Sequence, residues 1–157
     1  FTERESVELL TQIAQKMQPH DYFLLGLDRI KDKRTLEKAY DDREGVTAKF
    51  NLNVLSTLNK NLAANFKLDQ FFHQAIYNEK DEQIEMYLVS KQAQVIEIFA
   101  LDEAIQLKKR EKILTEISRK YNKSSIRRML AKSGLDEQLH FEPENEYFSL
   151  VLAKLKV

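Results

Sequence analysis

The sequence predicts an α/β fold built from two kinds of segment, and three observations predict it. The first 28 residues join a helical pattern to a nearly continuous apolar run, "YFLLGLD". After Asp28 the texture changes to a charged stretch, one long helical pattern and a series of short alternating runs. The chain then closes on a helix followed by two apolar runs split by a turn. A helix feeding directly into a buried strand is the repeating step of α/β proteins.

In Thr2–Met17, the residues Val7, Leu10, Ile13, Ala14 and Met17 recur at helical spacing, and Thr2 with Glu5 fits a capping box. Gln18-Pro19-His20-Asp21 breaks that helix. Tyr22–Asp28 reads as a strand buried on both faces, as in a parallel sheet, with Asp28 at its carboxyl end, where ligands of such sheets sit. Lys31–Lys38 reads as a short charged helix. From Val46 onward, Val46, Phe50, Val54, Leu58, Leu62 and Phe66 recur every four residues, with Leu55 beside them. That is an amphipathic helix whose stripe winds, because four residues overshoot a 3.6-residue turn. Phe71–Asn78, Ile84–Ser90, Gln94–Phe99 and Ile113–Ser118 read as short strands of an antiparallel meander, with Ala104–Arg110 a further candidate. A helix resumes at Ser124–Lys132, capped by Ser124 or Ser125 and stopped by Gly134. Leu135–Glu142 and Tyr147–Leu155 form a hairpin too apolar for a wet edge, so it belongs in the main sheet.

The totals narrow the function classes. Hydrophobic content of 43% and charged content of 32% describe a globular protein rather than a disordered one. Basic and acidic residues balance at 25 each, so no global field favours nucleic acid or an anionic membrane as partner. With no cysteine, disulfides and thiolate metal sites are excluded, and the cytoplasm is the expected location. No apolar run approaches the ~20 residues of a membrane span. The opening "FTERESVELL" reads as the interior of a longer chain.

Candidate chemistry concentrates in "ILTEIS", Ile113–Ser118. A period of two puts Leu114, Glu116 and Ser118 on one strand face, with Glu116 and Ser118 roughly 7 Å apart at Cα. A carboxylate and a hydroxyl so spaced can grip both ends of a small polar ring; a half-exposed strand turning ordinary polar residues outward fits the same alternation. In "IEMYLV", Met86 can shape a pocket wall or simply fill core space. In "KAYDDREGVTAKFN", Asp41 with Glu44, or Asp42 alone, can cap the following helix. That leaves Tyr40 unexplained, whereas exposure accounts for the four asparagines of "NLNVLSTLNKN". His20, His73 and His140 have no ligand spacing, so no metal site is expected, and three glycines make a glycine-rich nucleotide turn improbable.

Taken in order, "LLGLDRIKD", "AYDDREGVTAKFNLNVL", "IEMYL", "LTEIS" and the terminal "FSLVLAKL" resemble the histidine-specific methyltransferase family of the ergothioneine pathway. The likeness runs from about Phe1 to the end of the chain. It implies the carboxyl-terminal part of a class I, Rossmann-like methyltransferase, with an α+β substrate-recognition region inserted after the fifth core strand. Residues 1–30 and 121–157 then belong to the core and 31–120 to the insertion. The resemblance further implies S-adenosylmethionine as cofactor, its site lying mainly upstream of Phe1, and no catalytic, cofactor or metal residue within this chain. For an L-histidine substrate methylated on its α-amino group, it implies that Tyr40 holds the carboxylate. Met86 lines the side-chain pocket, and Glu116 and Ser118 bond the imidazole. Two motifs depart from the family pattern: "LHFEPENEYF" lacks a usual tryptophan, and "SRKY" stands where "SCKF" is common. By itself this chain is expected to be inactive and to self-associate. Methylation of another amino acid or small amine, or a non-catalytic binding module, are the other readings.

Overall fold

The computed structural model describes residues 1–156. Four helices and eight strands follow in the order α1 (Glu3–Ala14), β1 (Phe23–Asp28), α2 (Lys33–Tyr40), α3 (Val46–Leu62), β2 (Phe71–Asn78), β3 (Gln83–Ser90), β4 (Gln94–Ile98), β5 (Glu103–Leu107), β6 (Lys112–Arg119), α4 (Lys123–Lys132), β7 (Leu135–Phe141) and β8 (Phe148–Leu155). The chain divides into two compact units: Phe1–Asp32 with Glu79–Gln83 and Ser118–Val157, and Lys33–Asn78 with Ile84–Ile117.

In the first unit, α1 opens on the expected capping box. Thr2 Oγ1 accepts from the Glu5 N–H, and the Glu5 carboxylate accepts from the Thr2 N–H at 2.7 Å. The sheet order is β1-β8-β7, with both pairs antiparallel. The closing hairpin therefore does join the sheet that contains β1. Leu27, Val151 and Ala153 pack from the sheet against Leu10 and Ala14 of α1 and Ile126, Met129 and Leu130 of α4, burying one core.

Two details differ from the sequence reading. β1 is not buried on both faces: Leu25 and Leu27 turn to the helices, whereas Leu24 is 55% exposed. Its described hydrogen-bonding neighbour, β8, runs antiparallel, and the register places Leu24, Leu152 and Leu139 side by side on the uncovered face. The cap of α4 is Asn122, not Ser124 or Ser125. Its Oδ1 accepts from the Ser125 N–H at 2.9 Å, and Ser125 Oγ accepts from the Asn122 N–H, so Ser125 completes a box instead of heading it. Gly134, at φ +75°, stops the helix as expected, in a conformation that penalises any residue with a Cβ.

In the second unit, β2, β3 and β6 form one sheet in that order. The expected single meander is broken, because β4 and β5 pair antiparallel in a sheet of their own among the described residues. Leu36 of α2 packs with Ala75, Tyr77, Ile84 and Met86, and Leu55 of α3 packs with Phe66, Phe71, Leu88, Ile96 and Leu107. Alternate residues of β2 thus supply both clusters.

The four-residue stripe of α3 is not its buried face. Val46 and Phe50 are 65% and 63% exposed, while Asn51 and Leu55 are buried to 1%. A four-residue repeat drifts about 40° per step, so it cannot stay on one side of a straight helix. The helix also ends at Leu62, followed by left-handed Ala63. Phe66 lies beyond it, tied back because Asn59 donates to the Phe66 carbonyl and accepts from its N–H, both at 2.8 Å. Exposure therefore does not explain Asn51 and Asn59, which are bonded helix residues rather than solvated ones.

Candidate functional site

At the entry to α3, Asp42 acts as a cap across the turn. Its two carboxylate oxygens accept the Val46 and Thr47 N–H groups, each at 2.8 Å. The Thr47 hydroxyl, with the Thr47 and Val46 backbone N–H groups, holds its carboxyl down from the usual 3.8 to about 2. Gly45, at φ +68°, provides the left-handed step into the helix. Asp42 is thereby explained as helix chemistry, and Tyr40 is the last residue of α2.

Tyr40 is anchored by a polar network that periodicity gave no hint of. His73 Nε2 lies 2.7 Å from the Tyr40 carbonyl, so the ring caps the open carboxyl end of α2. Its Nδ1 lies 3.0 Å from Asn51 Nδ2, which also donates to the Tyr87 carbonyl at 3.2 Å. A carbonyl only accepts, so the neutral ring carries its proton on Nε2 and accepts from Asn51 on Nδ1. The Tyr40 side chain packs against the cluster that contains Met86. The structure therefore brings Tyr40 and Met86 together. Met86 itself is buried at 3%, and its carbonyl accepts from Thr115 Oγ1 at 2.9 Å, which ties β3 to β6.

The expected alternation of β6 is present. Leu114 and Glu116 are exposed, whereas Ile113, Thr115 and Ile117 are half-buried. Glu116 makes no hydrogen bond or ion pair among the described residues. Ser118, two residues on, is half-buried and accepts from Lys120 Nζ at 2.8 Å. Lys120 is fully buried and also pairs with Asp28 at the end of β1, at 3.0 Å. Burial pushes the Asp28 carboxyl up, but hydrogen bonds and charge from Lys31 and Lys120 outweigh this and leave it below the usual range. Nearby, Arg29 reaches Glu142 at 2.7 Å and Ser149 at 3.0 Å, and Ser149 meets His140 at 2.8 Å. None of these buried polar groups follows an apolar period; the sole hint of Lys120 was its place just after "LTEIS".

The described residues do not fit a cradle for a nucleoside-bearing cofactor. Gly26 lies under the Phe148 ring, 2.7 Å from where a Cβ would stand, and the other two glycines turn helix ends. Asp28 is occupied by two lysines.

The fold is that of the class I methyltransferases. The CcbJ methyltransferase from Streptomyces caelestis superposes over 99% of this chain and 52% of its own, with a TM-score of 0.50 at 7% identity, a likeness of fold alone. A family model for histidine-specific, S-adenosylmethionine-dependent methyltransferases matches residues 1–155, and the chain belongs to that family. The histidine N-alpha-methyltransferase of Mycolicibacterium smegmatis is 42% identical over 98% of this chain and 48% of its own length. That of Mycobacterium tuberculosis is 40% identical over 93% and 46%. Ergothioneine biosynthesis protein 1 of Neurospora crassa is 24% identical over 100% of this chain and 18% of its own. The chain thus spans about half the length of the bacterial relatives it matches.

Proposed function

We propose that this chain supplies the substrate-recognising part of an S-adenosylmethionine-dependent N-methyltransferase that acts on the α-amino group of L-histidine. In this reading residues 1–30 and 121–157 belong to the methyltransferase core and 31–120 form the inserted recognition region. Tyr40 holds the substrate carboxylate, Met86 walls the side-chain pocket, and Glu116 with Ser118 bonds the two ring nitrogens. The observation that carries the reading is the pair on β6, an exposed carboxylate with no partner among the described residues, two residues from a hydroxyl. The names of the bacterial relatives supply the substrate.

Chemically, the chain's part is to bind and orient. The cofactor, when bound, supplies an electrophilic methyl group. An amino acid gripped at both carboxylate and ring has its amine fixed in direction, and such positioning contributes about 7–11 kcal/mol to a bimolecular transfer. Glu116 accepts the ring N–H, so a side chain lacking that donor leaves the carboxylate unpaired and is rejected.

Glu116→Ala in the full-length enzyme tests this by calorimetry. Histidine affinity is expected to fall by about tenfold or more, the loss that goes with one hydrogen bond to a charged group. Unchanged affinity would remove Glu116 from the site.

A further inference from the structure

His73 stands on the buried face of β2 between Phe71, which packs in the cluster of α3, and Ala75, which packs in that of α2. An imidazole on an apolar face, here 9% exposed, needs partners for its ring nitrogens. It has one from each helix. Nε2 lies 2.7 Å from the carbonyl of Tyr40, the last residue of α2, and Nδ1 lies 3.0 Å from Asn51 Nδ2 on α3. Asn51, buried in turn, also donates to the Tyr87 carbonyl of β3 at 3.2 Å, so its amide cannot turn over without breaking a second bond. Glu37, one turn before Tyr40 on α2, accepts the Tyr77 N–H of β2 at 3.1 Å. The carboxyl end of α2 is thus moored to β2 at two points.

The chemistry of the His73 mooring has a direction. A carbonyl only accepts and an amide NH2 group only donates, so the ring donates on Nε2 and accepts on Nδ1. Asn51 therefore selects the tautomer whose proton faces Tyr40. The last carbonyls of a helix have no intrahelical partner, and an unmet one beside an apolar cluster favours unwinding of the final turn. Tyr40 belongs to that turn. On its other side the chain runs through residues 41–45 into the first turn of α3, which Asp42 holds. The His73 bond acts on the main chain of Tyr40. It sets the point and direction from which the side chain leaves α2, whatever the phenol itself contacts.

We infer that His73, oriented by Asn51, is a positioning residue for substrate specificity: it fixes the end of α2 so that Tyr40 meets a substrate carboxylate, and so favours amino acids over amines that lack one. The inference rests on the proposed role of Tyr40 and deepens it.

The test is a double-mutant cycle in the full-length enzyme with Tyr40→Phe, His73→Leu and the two combined. Calorimetric affinity is read for L-histidine and for histamine, which has the ring and the amine but no carboxylate. His73→Leu is expected to weaken histidine by about tenfold, leave histamine unchanged, and add nothing once Tyr40 is phenylalanine. His73→Gln, whose amide offers a donor and an acceptor as the neutral ring does, should restore part of the preference for histidine over histamine. Equal losses for both ligands, or a loss that adds fully to that of Tyr40→Phe, make His73 a structural residue and overturn the inference. An effect of Tyr40→Phe with none from His73→Leu overturns it too, as does a glutamine variant no better than the leucine one. If Tyr40→Phe leaves histidine affinity unaltered, the proposed role of Tyr40 itself fails and this inference falls with it. Should His73→Leu unfold the protein, His73→Leu/Asn51→Leu, which leaves no amide unpaired against the new side chain, takes its place in the cycle.

Discussion

Asp42 shows what one carboxylate does at the entry to a helix. It accepts two N–H groups of the first turn of α3, which otherwise have no intrahelical partner, and its negative charge meets the positive end of the helix. Because its folded pKa, about 2, lies below the usual 3.8, the stabilisation is complete above pH 4 and is lost as the pH falls through the folded value. Melting curves of wild type and Asp42→Ala should therefore be farthest apart at neutral pH, by about 2–4 °C, and converge as the pH is lowered toward 2. A constant gap across that range would show that Asp42 acts otherwise than through its charge. At this scale the sequence was half legible. A carboxylate ahead of a helix announces a cap by its type. The buried roles of Asn51, His73 and Lys120 could not be read, because a polar residue inside a fold is defined by partners distant in sequence. His73 meets a carbonyl on α2 and an amide on α3; Lys120 meets Asp28.

Among the elements, α3 separates pattern from packing most clearly. A repeat of four apolar residues invited one helix face, but the buried face passes through Asn51 and Leu55. The side facing β2 and β3 admits an asparagine because His73 and the Tyr87 carbonyl take its hydrogen bonds. Leu55→Ala should cost about 2–5 kcal/mol in denaturant unfolding, as for a buried leucine that leaves a cavity. Phe50→Ala, at a position 63% exposed, should stay within about 0.5 kcal/mol. Comparable losses at both positions would mean that the exposed stripe is covered after all. Strands were easier to read than this helix. β2 alternates along its whole length and β3 and β6 over their first five residues or more, because a period of two has no drift to accumulate. The separate pairing of β4 with β5 was not legible, since strand periodicity carries no information on which neighbour is chosen.

On the scale of the whole molecule, each unit has its own core, and the first carries an uncovered sheet face. Leu24, Leu139, Phe141 and Phe148 share that face by register, and β1 and β7 stand at the two edges of the sheet. Apolar side chains beside strand edges favour pairing with another chain. Light scattering on residues 1–157 should show mass rising with concentration, and Leu24→Lys should reduce it; a steady monomer mass for both proteins would contradict this. The class of fold was legible from the helix-then-strand opening and the apolar closing hairpin. The residues of the proposed site, Glu116 and Ser118 above all, stand out in the sequence as types at a spacing, but the buried ammonium next to Ser118 does not. That ammonium has an evolutionary consequence. A buried positive charge facing a carboxylate contributed by a remote part of the chain resists the loss of that carboxylate, because the exchange takes the counter-charge from an ammonium inside the fold. Among descendants of a common ancestor, positions 28 and 120 should therefore drift as a couple or remain frozen, and frequent single exchanges there would show that the two charges tolerate separation.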